Sequence, residues 1–131
     1  MTGGVEVHVL VADDNVGIRD TTAAILRSVG YTVTEAEDGE AALGELAQKP
    51  FNVCVLDERM PKLNGTELVR TLSPGPPPPV ILMASAYDFD SDLRQNIGTR
   101  VFKYLKKPVP PKVLIESVGE ACAACAAIPR P

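Results

Sequence analysis

Phe51-Asn52-Val53-Cys54-Val55-Leu56-Asp57 is an apolar run that ends in a carboxylate and passes into Glu58-Arg59-Met60-Pro61. Asn52 is the one polar residue before Asp57, the run is rich in Val, and Pro50 and Pro61 flank it. Such a run reads as a strand buried on both faces of a parallel sheet. Asp57 then stands at the strand's carboxyl end, the edge of an open α/β sheet where ligands bind, and it is the candidate reactive group. From this stretch alone, the alternative is that Asp57 only caps a turn.

On the N-terminal side, residues 5–12 form a first β-branched run closed by Asp13-Asp14-Asn15, a second acidic strand terminus. Asn15 is placed to cap a helix and Gly30 to end it, with Ile18, Thr22, Ile25, Leu26 and Val29 recurring at helical spacing. Residues 31–36 alternate β-formers as a short second strand. Asp38 caps a helix carrying Ala41, Ala42, Leu43, Leu46 and Ala47, which Lys49-Pro50 stops.

On the C-terminal side, a loop through Asn64-Gly65 leads to a helix near residues 66–72 and then to a five-proline segment ending at Pro79, read as a stiff connector. Residues 80–84 are a fourth strand, ending in Ser85-Ala86. Residues 88–97 are polar, with Leu93 and Ile97 as the main apolar contacts of a weakly anchored helix. Residues 100–106 form a fifth strand closed by Lys107-Pro108. Pro110 or Pro111 opens a last helix, with Val113, Leu114, Val118, Ala121 and Cys122 toward the sheet.

Five strands alternating with five helices predict an α/β fold, a doubly wound five-stranded parallel sheet with right-handed crossovers. At 131 residues, 45% hydrophobic and 23% charged, the chain suits one domain with one substantial core. The net charge of −4 leaves no basic footprint for direct nucleic-acid binding. No window approaches the roughly 18 apolar residues of a membrane span, and the first residues lack a signal peptide's basic start and apolar core, so no membrane partner and a cytoplasmic location are expected. Cys54, Cys122 and Cys125 are too few for a disulfide framework. Cys122 and Cys125, at i and i+3 in an Ala-rich run, read as a packed helix face, Cys54 as a core residue and His8 as a strand histidine.

The informative pattern is what stands at the strand ends: Asp13 and Asp14, Asp57, Ser85, and Lys107. In a parallel sheet these ends lie on one edge, so residues spread along most of the chain converge. Three carboxylates together repel unless a hard cation joins them, and Mg²⁺, held by carboxylates, waters and phosphate oxygens, is that cation in phosphate chemistry. A Lys ammonium and a Ser hydroxyl suit phosphoryl oxygens. The set describes phosphoryl transfer with a carboxylate as nucleophile.

From about Val5 to about Ala121 the chain resembles the receiver domains of two-component response regulators, in particular single-domain chemotaxis-type regulators. The resemblance rests on Val11-Ala12-Asp13-Asp14, Val55-Leu56-Asp57 followed by Met60-Pro61 and Asn64-Gly65, Met83-Ala84-Ser85-Ala86, and Tyr104-Leu105-Lys106-Lys107-Pro108, in this order and spacing. It implies a flavodoxin-like strand order 2-1-3-4-5, with residues 1–125 as the receiver and 126–131 as a tail or truncated linker. It implies that Asp57 accepts a phosphoryl group from a histidine kinase or histidine phosphotransfer protein. Asp14, Asp57 and the Arg59 backbone carbonyl would ligate Mg²⁺, with Asp13 acting mainly through water. Lys107 would pair with phosphoryl oxygens, and Ser85 and Tyr104 would act as switch residues. The output surface would be the fourth helix, fifth strand and fifth helix, read by a downstream protein target or an attached output domain. Arg59 and Tyr87 occupy positions that tune phosphoryl lifetime in this family. The segment from Gly98 to Tyr104 is about two residues longer than the common pattern.

Two rivals use similar sheets. A dinucleotide or flavin module wants a Gly-rich turn where Asp13-Asp14-Asn15 stands. A Mg²⁺-dependent aspartyl-phosphate phosphatase usually carries a second Asp two residues past the nucleophile, where this chain has Arg59. Such a switch promotes only its own phosphorylation and dephosphorylation and is not otherwise an enzyme. Met1 and the absence of an output domain favour a standalone regulator or an isolated N-terminal domain, with a receiver cut from a hybrid kinase or larger regulator as the alternative.

Overall fold

A computed structural model describes residues 6–72, 79–85 and 101–126, with side chains through residue 124. The predicted helix at 88–97, Tyr87, residues 73–78 of the proline segment and residues 127–131 lie outside the described residues.

Five strands, β1 (His8–Ala12), β2 (Thr32–Ala36), β3 (Val53–Asp57), β4 (Val80–Ser85) and β5 (Val101–Lys106), pair in parallel in the order β2-β1-β3-β4-β5. Among the described residues they alternate with α1 (Val16–Ser28), α2 (Gly39–Gln48), α3 (Gly65–Thr71) and a C-terminal helix (Pro111–Ala126).

The period-two alternation of side chains divides the apolar strands between two cores. Val9, Val11, Val53, Val55 and Leu82 face Ala23 and Leu26 of α1 and Leu114, Val118 and Ala121 of the C-terminal helix. Leu10, Ala12, Cys54, Leu56, Ile81 and Met83 face Ala42 of α2 and Leu68 and Val69 of α3. All five residues of β3 are buried, as a central strand covered on both faces requires. Burial pushes the Cys54 thiol up to about 12, so it is a protonated core side chain at neutral pH.

Side chains fix where the helices begin. Asn15 accepts from the Ile18 N–H at 3.0 Å, Asp38 from the Ala41 N–H at 2.8 Å, and Asn64 forms a reciprocal capping box with Glu67. The same Ala41 N–H, opposed by burial and helped by Lys62, holds the Asp38 carboxyl below its ordinary range.

Three sequence expectations shift. Ile18 and Val29, assigned to the apolar stripe of α1, are 42% and 47% exposed, and Ala23 and Leu26 are the buried pair. The contact stripe is narrow, Ile18 sits in the first turn of α1, and Val29 is already the C-cap residue. Val113 is 38% exposed because the buried phase of the C-terminal helix runs through Leu114, Ser117, Val118 and Ala121, one residue off it. In β5, Ile81 pairs with Val101 but Leu82 pairs with Lys103, so Phe102 is the extra residue of a bulge. That bulge absorbs one residue of the added length and leaves Val101 in one core and Leu105 in the other.

Gly39, first residue of α2, packs so closely on the loop after β3 that a Cβ there would overlap the Leu63 carbonyl. Backbone cannot yield as a flexible side chain does, so Gly39→Ala is expected to lower unfolding free energy by about 2–3 kcal/mol, measured by urea denaturation.

Candidate functional site

Register brings the acidic strand ends to one level. Ala12 pairs with Leu56, so Asp13 and Asp57 follow at equivalent positions, and Asp57 itself pairs with Ala84. One strand further out Ser85 pairs with Lys106, and the Lys107 N–H donates to the Ser85 carbonyl at 2.8 Å. One carboxylate oxygen from each of Asp13, Asp14 and Asp57 lies within 4.8 Å of the others. Asp13 and Asp57 are buried and Asp14 is exposed.

Lys107 reaches into this group, its Nζ 2.8 Å from Asp13 Oδ2 and 3.3 Å from Asp57 Oδ1. The second Asp13 oxygen accepts the Asn15 N–H at 2.9 Å, and the Arg59 N–H points at Asp57 Oδ1 from 3.4 Å. Arg19 donates to the Asp13 backbone carbonyl at 3.0 Å and pairs with Glu35 at 3.4 Å, pinning the turn after β1 from below. Its role was missed in the sequence, where the only signal was a cation four residues after the helix cap.

Burial pushes the Asp57 carboxyl up to about 6, with the Asp13 charge adding to the rise and Lys107 opposing it. Burial also works against the Lys107 ammonium, but its hydrogen bond and charge contact with Asp13, then those with Asp57, outweigh it and raise its pKa. One ammonium therefore faces three carboxylates. Oxygen donors with surplus negative charge fit a hard divalent cation such as Mg²⁺.

The remaining predicted residues stand around this centre. Ser85 is buried at the adjacent strand end, and Tyr104 is partly buried against the core that holds Met83. Arg59 is exposed on the rim. A cleft of about 740 Å³ opens from Asp13, Asp57 and Lys107 between α1 and the C-terminal helix, with Ile18, Pro108 and Val109 among its walls. His8 lies away from the strand ends and its ring meets Glu6 at 3.0 Å. The described cysteines, Cys54 and Cys122, are free thiols; burial and then a hydrogen bond with Cys122 push the Tyr31 hydroxyl up to about 12. No helix among the described residues is long and apolar enough to cross a membrane.

The matching family model is the response regulator receiver domain, over residues 9–119. The response regulator GtcR of Aneurinibacillus migulanus is 33% identical over 103 residues, 79% of this chain and 42% of that protein. A probable transcriptional regulator of Porphyridium aerugineum is 35% identical over 81% of this chain and 44% of its own length, so the chain spans less than half of these curated relatives. A 14.6 kDa protein of Leptolyngbya boryana matches along nearly all of both chains, 34% identical over 91% and 92%. Among solved structures, a CheY-like receiver domain protein from Methanospirillum hungatei superposes with a TM-score of 0.85 at 28% identity, covering 93% of this chain and 98% of that one. The chemotaxis response regulator CheY4 of Vibrio cholerae gives 0.79 at 28% identity over 89% and 99%.

Asp57 binds its proton more tightly folded than unfolded. Its contribution to stability is therefore fully present below the ordinary carboxylate value of 3.8 and is lost as pH rises to about 6. Asp57→Asn removes that opposing charge and is expected to stabilise the metal-free protein by about 1–2 kcal/mol near pH 7.5, solvent screening at this partly exposed cleft discounting the full linkage value. Denaturation at several pH values should show this gain shrinking toward zero near pH 4.

Proposed function

Since the chain belongs to the response regulator receiver domain family, a phosphoryl-accepting switch of two-component signalling, we propose that Asp57 is its acceptor and a phosphohistidine on a kinase or phosphotransfer protein its donor. The observation that carries this reading is the meeting of Asp13, Asp14, Asp57 and Lys107 at one sheet edge.

In the reaction an Asp57 carboxylate oxygen forms the new P–O bond as the P–N bond to the donor imidazole breaks. Neutral imidazole leaves when its other ring nitrogen carries the proton. Lys107, now held by two carboxylates, turns part of its charge to the incoming phosphoryl oxygens. Asp14, Asp57 and the Arg59 carbonyl would hold Mg²⁺, with Asp13 acting mainly through water. When bound, the ion supplies positive charge opposite the transferring oxygens. The apolar walls of the adjoining cleft suit a protein donor better than a free nucleotide, which the acidic turn after β1 would repel.

Ser85 then hydrogen-bonds the acyl phosphate, Tyr104 turns inward, and the surface made by the helix expected from the sequence at 88–97, by β5 and by the C-terminal helix changes its affinity for a downstream protein or output domain. Arg59 and Tyr87 tune how long the phosphoryl group survives. Residues 1–125 form this switch and 126–131 a tail or linker, working in the cytoplasm. The chain promotes only its own phosphorylation and dephosphorylation. A phosphatase acting on diffusing substrates is disfavoured because the exposed Arg59 stands where an acid–base carboxyl is wanted.

Incubation with acetyl phosphate and Mg²⁺, followed by intact mass measurement, is expected to show one added phosphoryl group, absent after chelation and absent in Asp57→Asn. An adduct that persists in Asp57→Asn would contradict the assignment.

A further inference from the structure

The loop that leaves Asp57 is held by a residue to which neither the family pattern nor the chemistry above assigns a role. Every polar group of Glu58 is engaged. Its N–H donates to the Ala84 carbonyl at 2.8 Å, and its own carbonyl accepts the Gly65 N–H at 3.0 Å. Its carboxylate accepts the Thr66 N–H at 2.7 Å, and Thr66 Oγ1 lies 2.7 Å and 2.6 Å from its two oxygens. Thr66 is buried, so these bonds are shielded from competing water.

These contacts close residues 58–66 into a ring whose base is clamped to β4. Gly65 completes the closure, because a Cβ there would stand 2.5 Å from Met83 Sδ and 2.9 Å from the Asp57 carbonyl. At the far side Leu63 packs on Gly39, and Lys62 pairs with Asp38 at 3.4 Å. The peptide joining Glu58 to Arg59 is the first link of this ring. Its orientation is set where Glu58 is pinned, its carbonyl by the Gly65 N–H and its own N–H toward Asp57 Oδ1, which fixes the point from which the next peptide, the one carrying the Arg59 carbonyl, leaves the chain.

We propose that the Glu58–Thr66 pair is a positioning latch that presents the Arg59 backbone carbonyl to the divalent cation, and that it governs cation affinity rather than the phosphoryl step itself. This inference rests on the Mg²⁺ site of the proposed function. Glu58 does not touch the cation in this assignment. It acts through the loop, as groups behind a metal's direct ligands commonly do, and removing such a group typically weakens metal binding about 10–100-fold.

Mg²⁺ affinity measured by isothermal titration on the whole chain separates the possibilities. Glu58→Ala removes both latch bonds and is expected to weaken Mg²⁺ about tenfold. Thr66→Val keeps only the backbone donor and should fall between Glu58→Ala and wild type, with Thr66→Ser restoring the wild-type value. Glu58→Gln keeps an acceptor for Thr66 while losing the charge, and should stay within about threefold of wild type on this account. The rate of phosphorylation by acetyl phosphate at saturating Mg²⁺ should be unchanged in all four. Glu58→Gln as weak as Glu58→Ala beside an unaffected Thr66→Val would show a charge effect and overturn the latch. Wild-type affinity in both Glu58→Gln and Thr66→Val, with Glu58→Ala unfolded or also unaffected, would overturn it too. A wild-type chain that binds no Mg²⁺ would instead remove the premise on which the latch depends.

Discussion

Among the ion pairs of the described residues at this site, one ammonium, that of Lys107, stands 2.8 Å from Asp13 and 3.3 Å from Asp57, and one positive charge does not balance the three carboxylates that meet there. Much of this fold's sheet edge is arranged around that deficit. Burial and the Asp13 charge raise the Asp57 carboxyl, so the metal-free site is held at a cost to the folded state. On the proposed reading the site is thus poised to take up positive charge and, with it, a phosphoryl group. A fully neutralised cluster would have no comparable appetite for either.

Parallel register makes the deficit possible. The central strands deliver apolar side chains to both cores, and all of the parallel strands end on the same edge of the sheet. The pairings Ala12 with Leu56 and Asp57 with Ala84 place charges level without any strand carrying a buried charge in mid-length. The carboxylates of β1 and β3 stand at the edge, where the Asn15 N–H and Lys107 meet the Asp13 carboxylate and Arg19 holds its backbone carbonyl.

How legible this was depended on the scale of the interaction. Strand type and the convergence of Asp13, Asp14, Asp57 and Lys107 follow from short apolar runs with polar ends, whereas the strand order came from the family resemblance. The face of a helix did not follow as well. Ile18, Val29 and Val113 look apolar and periodic, yet which stripe is buried depends on where the helix lies on the sheet. The bulge at Phe102 was visible only as extra length, because pairing across strands decides which residue is left over. Arg19, beyond its place four residues after the helix cap, and Glu58 carry no signal of their own in the sequence. Their bonds to Asp13 and Thr66 depend on how loops fold back, which local periodicity does not encode.

The central claim is that the acyl phosphate forms on Asp57 rather than on the neighbouring carboxylates. Borohydride reduces an acyl phosphate to an alcohol and leaves free carboxylates untouched, so the acceptor can be read by peptide mass after phosphorylation and reduction. The account predicts the reduced side chain at position 57 and intact carboxyls at positions 13 and 14. Reduction at position 13 or 14 with Asp57 unchanged would contradict it.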